Sequence, residues 1–245
     1  MAIILSIAIG LLMGVIGGGG GGIYVVIVMI FMHQNVKTAV GTALILSTIT
    51  LSGAAFQYAL KKEVKRDYLI LISIFGVLGT LLGSLFMKYI NENILKIAIV
   101  CVFVLSGLSS LIKIKLNKDN GNKHIKASSK MYIVAPLGIV SGLITGALGL
   151  SGGTVLSSFL VGLLDFSPYM AVGTTTMITL VLNLTGAIFH AGTYHINMKI
   201  LLILGIGSAS GALFGAKLAS RINRKLLTIL LSGAAILSGI YLALK

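Results

Sequence analysis

The chain has 245 residues, of which 57% are hydrophobic and 10% are charged, and its mean hydropathy is +1.07. About a quarter of the residues of an average soluble domain are charged, so this composition excludes an ordinary water-soluble protein and indicates one that dissolves in lipid. The net charge of +14 could suggest nucleic acid, but the basic residues are scattered at the ends of apolar segments, as in membrane-protein loops. We therefore expect no nucleic-acid partner.

The first apolar segment, residues 1–32, contains an unbroken run of six glycines from Gly17 to Gly22. The segment is longer than the roughly 20 residues that cross a bilayer once, yet its glycines divide it into pieces shorter than a span. Each glycine destabilises a helix interior by about 1 kcal/mol relative to alanine, so the helix must break at this run. In hydrocarbon, irregular backbone survives only where protein covers it or where it lines a cavity. We predict a broken or re-entrant element whose glycines lie inside the protein.

The rest of the chain divides into apolar segments separated by short polar breaks. Six segments have the length of one crossing; they are 39–60, 68–87, 94–112, 170–193, 198–219 and 226–244. A second glycine-cut segment, 131–164, is again too long for one span. The longest polar stretch, 113–130, carries six lysines and one aspartate. We interpret it as a basic cytoplasmic linker between two membrane domains.

The second half of the chain repeats the first at a shift of 132 positions. The sequence Ala-Val-Gly-Thr begins at Ala39 and again at Ala171, and several glycines recur at the same shift. The clearest matches are Gly10, Gly14, Gly79 and Gly83 with Gly142, Gly146, Gly211 and Gly215. Paired glycine-interrupted segments in two halves of a membrane chain indicate a transport site. We predict an all-α membrane protein of two repeats, 1–112 and 131–245, each with a glycine-broken element and three transmembrane helices.

Charge counting favours one of two topologies, because lysine and arginine accumulate in cytoplasmic loops. If both broken segments enter and leave on the same side, 14 of the 19 basic residues lie inside, whereas only 12 do if each segment crosses once. We favour the first arrangement, in which each repeat crosses three times. An odd number of crossings makes the second repeat inverted relative to the first.

The two breaks are the candidate binding site. Half-helices that begin at them would direct unpaired backbone N–H groups and positive dipole ends into the interior, where they favour anions. Threonine hydroxyls near the breaks could add hydrogen bonds, or they could bond their own helix carbonyls instead. The predicted substrate-binding residues are Gly20, Gly21, Gly22, Thr42, Gln57, Ser151, Gly152, Gly153, Thr154, Thr174, Thr175 and His190. For the glycines spaced by four, such as Gly10 and Gly14, we predict close helix packing.

His190 is the one histidine preceded by a long apolar run, and its repeat partner is Gln57 at a register that slips by one. An ionisable group near the membrane is a candidate for substrate or proton contact, although a histidine at the end of a span is also ordinary. No cluster of His, Cys, Asp and Glu has metal-ligand spacing, and the single Cys101 permits no intramolecular disulfide. No serine has a histidine and a carboxylate at hand. We expect no metal, no cofactor and no enzymatic activity.

The order of these motifs, doubled across a basic linker, resembles the sulfite exporter TauE/SafE family of membrane permeases. The likeness covers essentially the whole chain. Its strongest elements are the run Gly17 to Gly22 with Gly41-Thr42, and the run Gly149 to Gly153 with Pro168, Ala171, Gly173 and Thr174. The resemblance implies a prokaryotic plasma-membrane transporter that exports small anions such as sulfite or organosulfonates. An anion channel, a transporter of another small anion and a non-transporting scaffold are the alternatives. The expected partners are a small anionic solute, the lipid bilayer and a second copy of the chain.

Overall fold

The computed structural model describes residues 2–16, 21–31, 33–61, 64–116, 127–164, 166–192 and 198–219. All regular structure in these residues is helical. The helices are α1 (Ala2–Ile16), α2 (Gly21–Phe31), α3 (Val36–Leu60), α4 (Arg66–Tyr89), α5 (Glu92–Leu116), α6 (Ala127–Leu148), α7 (Gly153–Leu164), α8 (Pro168–Ala191) and α9 (Met198–Leu218).

Five of the six predicted spans coincide with one helix each, namely α3, α4, α5, α8 and α9, and their ends differ from the prediction by at most four residues. The sixth, 226–244, lies outside the described residues. By length and composition, α3, α4 and the part of α8 from Met170 can each cross a membrane. Two of these helices begin at capping residues, because the side chain of Asn35 accepts from Thr38 N at 2.8 Å and Ser167 accepts from Met170 N at 3.3 Å.

Each glycine-cut segment contains two described helices, and the second segment is broken between them, as predicted from its length. The first contains α1 and α2, and residues 17–20 between them lie outside the described residues. The second divides into α6 and α7, and Gly149 stands at the break with φ +66°, a left-handed conformation that glycine adopts without strain. The chain then reverses, because Gly152 lies beside Ser141, eleven residues earlier on α6.

Glycines spaced by four pack helices at close range, which confirms the prediction made for them. A Cβ atom added to Gly10 would overlap the backbone of Ser208, and one added to Gly14 would overlap Ala212, so α1 and α9 run parallel in direct backbone contact. The same pattern joins α6 to α4, where Gly142 lies against the backbone of Gly76. Small residues allow this close approach. The first helix of each glycine-cut segment is therefore packed against a helix of the other half, α1 against α9 and α6 against α4.

Helices α3 and α8, which carry the two Ala-Val-Gly-Thr motifs, pack against each other in opposite directions. Gly41 lies against His190, and three residues further along α3 Leu44 lies against Gly186. The principal helix contacts recur when the two halves are exchanged: α1 with α9 corresponds to α6 with α4, and α3 with α9 corresponds to α8 with α4. The contact between α3 and α8 joins the two equivalent helices, so it is unchanged when the halves are exchanged. This helix pair therefore lies at the centre of the arrangement.

The outer surface of α4 is apolar. Large side chains spaced by three or four residues point outward on one face, and they are Ile70, Ile74, Leu78, Leu81 and Leu85. The opposite face buries small residues, including Gly76 and Thr80, against α6. A helix with apolar side chains outside and small residues inside is expected where lipid replaces water as the solvent.

Candidate functional site

The beginnings of α2 and α7 meet in the interior. A Cβ atom added to Gly21 would overlap the hydroxyl of Ser151 and would lie 2.9 Å from its backbone nitrogen and 3.1 Å from the Gly149 carbonyl oxygen. Glycine is therefore required at this position by a contact from the other repeat. Both helices are longer than two turns, and the N–H groups of their first turns have no acceptor within the helix. Two positive helix ends thus lie side by side.

The loop that precedes α7 is held by hydrogen bonds to α6. The Thr145 hydroxyl donates to the Ser141 carbonyl at 2.8 Å and accepts from the N–H of Gly152 at 3.5 Å. The first bond within α7 is donated by Leu156 N to Gly152 O at 2.9 Å, so Gly152 caps this helix. These contacts fix the direction in which the first-turn N–H groups of α7 point.

Asn183 reaches this loop from α8. Its Nδ2 atom donates to Ser151 Oγ at 3.1 Å, and both residues are buried, Asn183 completely. The sequence analysis did not select Asn183. A signal was present, because an asparagine in the middle of an apolar span is costly and therefore a functional candidate.

The predicted site residues divide into three levels along the membrane-spanning helices. Gly21, Ser151 and Gly152 lie together at the central level, and Gly22 and Gly153 adjoin them in the first turns of α2 and α7. Thr42 lies one residue beyond Gly41, which is in contact with His190, at one end of the α3 and α8 pair. Gln57 is 15 residues further along α3, about 22 Å away at 1.5 Å per residue.

Thr174 and Thr175 belong to the same end of the pair as Gln57, because α3 and α8 are antiparallel. One small anion cannot contact Thr42 and Gln57 at the same time. The structure brings Gly21 into contact with Ser151, and it places Thr174 and Thr175 toward the opposite end of the helix pair from the contact of Gly41 with His190. Gly20 lies outside the described residues, and of Thr154 only its place in the first turn of α7 is described.

The threonine hydroxyls bond within the protein. Thr42 Oγ1 donates to Thr38 O at 2.8 Å, and Thr175 Oγ1 donates to Ala171 O at 2.8 Å, so both bond their own helix. Thr174 Oγ1 accepts from the backbone N–H of Lys65 at 3.1 Å. This bond ties the segment between α3 and α4 to the first turns of α8. These hydroxyls therefore stabilise the ends of the helix pair.

His190 contacts the C-terminal end of α6. Its Nε2 atom lies 3.1 Å from the carbonyl oxygen of Gly146, and Ser84 Oγ donates to the same oxygen at 3.4 Å. Carbonyl oxygens in the last turn of a helix have no N–H donor within the helix, so His190 and Ser84 provide the hydrogen bonds to the Gly146 oxygen at the end of α6. Gln57 is half-buried near the opposite end of the α3 and α8 pair.

The first repeat has a buried polar contact at a corresponding depth. Tyr24 of α2 lies 2.8 Å from Thr50, and Thr50 donates to Ser208 of α9 at 2.7 Å. Thr50 is the repeat partner of Asn183 in the register that also pairs Gln57 with His190. Each helix of the central pair therefore carries a buried polar side chain that contacts the glycine-cut segment of its own repeat. Thr50 of α3 contacts α2, and Asn183 of α8 contacts the loop before α7.

The described surroundings of the site lack formal charge. Among the described residues, none of the buried side chains is Lys, Arg, Asp or Glu, and no three His, Cys, Asp or Glu side chains are grouped so that they could hold a metal ion. Any charge on a bound solute would be met by hydrogen-bond donors and helix ends.

Broken helices that meet inside a bundle of membrane-length helices define a polytopic membrane protein of the transporter type. A sequence model described as "Sulfite exporter TauE/SafE" matches residues 2–242, and the chain belongs to this family. It is therefore a membrane transporter. The resemblance found in the sequence is confirmed.

Curated relatives agree with this assignment. The chain is 26% identical to "Probable membrane transporter protein YunE" of Bacillus subtilis (strain 168), over 93% of this chain and 91% of the relative. It is 22% identical to "Probable membrane transporter protein YdhB" of the same bacterium, over 88% of each chain. It is also 26% identical to "Probable membrane transporter protein MJ0441" of Methanocaldococcus jannaschii, over 98% of this chain and 95% of the relative. These matches place the chain among multi-pass proteins of the prokaryotic plasma membrane. No solved structure matches it significantly.

Proposed function

We propose that the protein is a secondary transporter that exports small anions such as sulfite or organosulfonates, and that it binds them at the central level between the starts of α2 and α7. The observation that carries this proposal is the contact of Gly21 with Ser151, since it brings two helix N-termini together in the interior. Helix N-termini favour anions. The absence of a fixed cation among the buried described side chains favours modest affinity, which suits the release of cargo.

Alternating access follows from an inverted-repeat arrangement. The antiparallel packing of α3 and α8 and the exchanged contacts of α1 with α9 and of α6 with α4 support such an arrangement. In transporters built this way, one repeat or bundle rocks against the other around a fixed site. The end of the α3 and α8 pair at His190 and the opposite end at Thr174 would then open to the solvent in turn.

Flux measurements in proteoliposomes test the function. We expect purified protein to transport radiolabelled sulfite and methanesulfonate with saturation, and an unlabelled anion on the opposite side to accelerate exchange. Rubidium and neutral sugars should not be transported. A macroscopic chloride or sulfite current without counterflow would instead identify a channel. Transport of cations or neutral solutes alone would contradict the proposed anion site.

Cysteine labelling tests the inverted topology. The chain has one cysteine, so Cys101→Ser provides a background in which exposed residues are replaced singly. In intact cells we expect Asn91→Cys to react with a membrane-impermeant maleimide and Lys65→Cys to react only after permeabilisation, since charge counting places residues 61–66 inside. Two further replacements extend the test to the second repeat, with Gly192→Cys expected outside and Lys217→Cys inside. Equal labelling of Asn91→Cys and Lys65→Cys before permeabilisation would refute this topology.

A further inference from the structure

Two buried polar oxygen atoms near the central level have no hydrogen-bond partner in the described structure. They are Oδ1 of Asn183 and Oγ of Ser47, and both residues are completely buried. A buried polar atom without a partner is uncommon and destabilising. In a transporter interior, such atoms are candidates for contact with the cargo.

The register of α3 and α8 places the two residues at the same level along the helix pair. Gly41 lies against His190 and Leu44 against Gly186, so a step of three residues along antiparallel helices puts Ser47 level with Asn183. Ser47 also shares a helix face with Val40, two turns earlier. Val40 lies 3.1 Å from a Cβ atom added to Gly149, so this face of α3 points toward the loop that carries Ser151.

The orientation of the Asn183 amide decides which ligand it can bind. Its Nδ2 atom is engaged by Ser151 Oγ at 3.1 Å, which leaves the acceptor Oδ1 unpartnered. Rotation of the amide by half a turn would let the Ser151 hydroxyl donate to Oδ1 and would present the NH₂ group instead. An oxyanion would then satisfy that NH₂ group, the Ser47 hydroxyl and the N–H groups of the two helix ends together. A cation would satisfy the oxygens but would be repelled by both helix ends.

Building on the proposed function, we propose that Asn183 and Ser47 form the side-chain wall of the central site and that the site takes a singly charged oxyanion. Each helix N-terminus carries about half a positive charge, so two of them offset about one negative charge. A second negative charge would remain uncompensated where no buried Lys or Arg is described, and burial of an unpaired charge is costly. The expected cargo class is a sulfonate or hydrogensulfite, and not a dianion such as sulfate.

Binding to purified protein in nanodiscs tests this proposal, with methanesulfonate and sulfate as probes of similar shape and different charge. We expect wild-type protein to bind methanesulfonate at least about tenfold more tightly than sulfate. Ser47→Ala removes one hydroxyl donor to the anion and should weaken methanesulfonate binding about tenfold. Because this hydroxyl has no partner in the described structure, its removal should leave thermal stability unchanged or higher.

Ser73→Ala is the matched control. Ser73 Oγ is likewise a buried atom without a partner, but it lies on α4, whose principal contacts are with α6 and α8 and not with α2 or α7. We expect Ser73→Ala to bind methanesulfonate as the wild type does. Asn183→Asp keeps an acceptor for Ser151 and adds a negative charge, so it should lose at least about tenfold in methanesulfonate affinity while the protein remains folded.

The outcomes separate the two proposals. Wild-type methanesulfonate binding that neither Ser47→Ala nor Asn183→Asp weakens would refute the side-chain wall and leave the transporter proposal standing. Equal affinity for sulfate and methanesulfonate would refute the singly charged cargo class. Failure of the wild type to bind or transport any anion would refute the proposed function, and this inference with it.

Discussion

Replacement of Gly21 by valine is expected to abolish anion transport. The added Cβ atom would overlap the Ser151 hydroxyl and lie 2.9 Å from the Ser151 backbone nitrogen, so the start of α2 must move away from the loop before α7. An anion between them would lose donors from at least one helix end. Loss of two charge-assisted hydrogen bonds corresponds to about a hundredfold or more in affinity. Counterflow of methanesulfonate in proteoliposomes, normalised to reconstituted protein, measures the effect.

Gly192→Val is the matched control for this substitution. Gly192 is exposed beyond α8, and the nearest atom to an added Cβ is the Phe189 carbonyl oxygen at 3.8 Å, an ordinary contact. We expect this variant to transport at the wild-type rate. Thermal melting of both variants distinguishes a loss of the site from a loss of the fold, since a change of a few kcal/mol would shift the melting temperature. Normal transport by Gly21→Val would exclude the start of α2 from the anion site.

Replacement of Gly142 by leucine is expected to prevent stable folding. A Cβ atom at this position would overlap the Gly76 carbonyl and lie 2.7 Å from Thr80 N, both backbone atoms of α4. Backbone cannot rotate away as a side chain can, so α4 and α6 would have to separate along their length. Overpacking of this kind costs about 3 kcal/mol or more. We expect the variant to lose its monodisperse peak in size-exclusion chromatography and to melt well below the wild type.

The corresponding change in the other repeat, Gly10→Leu, should have a similar effect, because Gly10 lies against the backbone of Ser208 as Gly142 lies against Gly76. Gly192→Leu places the same side chain at an exposed position and should melt as the wild type does. If Gly142→Leu also melted normally, the direct backbone contact of α4 and α6 would be wrong.

The tests at Gly21 and Gly142 examine two roles of glycine that sequence reasoning had already distinguished. Glycines spaced by four were predicted to allow close packing, and the contacts of Gly10, Gly14 and Gly142 confirm it. The consecutive glycines were predicted to break the helix; in the second repeat α6 ends at Leu148 and α7 begins at Gly153, whereas residues 17–20 of the first run lie outside the described residues. That these breaks form an anion site remains a prediction, now restricted to the residues near Gly21 and Ser151.

The twelve predicted site residues were chosen by chemistry and by recurrence in both repeats, and these criteria carry no information on depth. Thr42 and Gln57 lie on the same helix and are about 22 Å apart, which the sequence already implied for a continuous α3. The hydroxyls of Thr42 and Thr175 bond their own helices, the alternative that sequence reasoning had left open. Asn183 was missed because it has no identical partner in the first repeat, where Thr50 stands.

Hydropathy, glycine runs and the 132-residue repeat were enough to predict a duplicated helical membrane protein with two broken segments, since these properties depend on segment length and local backbone preference. The tertiary structure alone decided which residues of distant segments are in contact: Gly21 with Ser151, His190 with Gly146, and Asn183 with Ser151. Such contacts depend on the direction and register of helices packed side by side. In lipid, small and apolar residues permit many registers, and the close backbone contacts of the whole bundle select one.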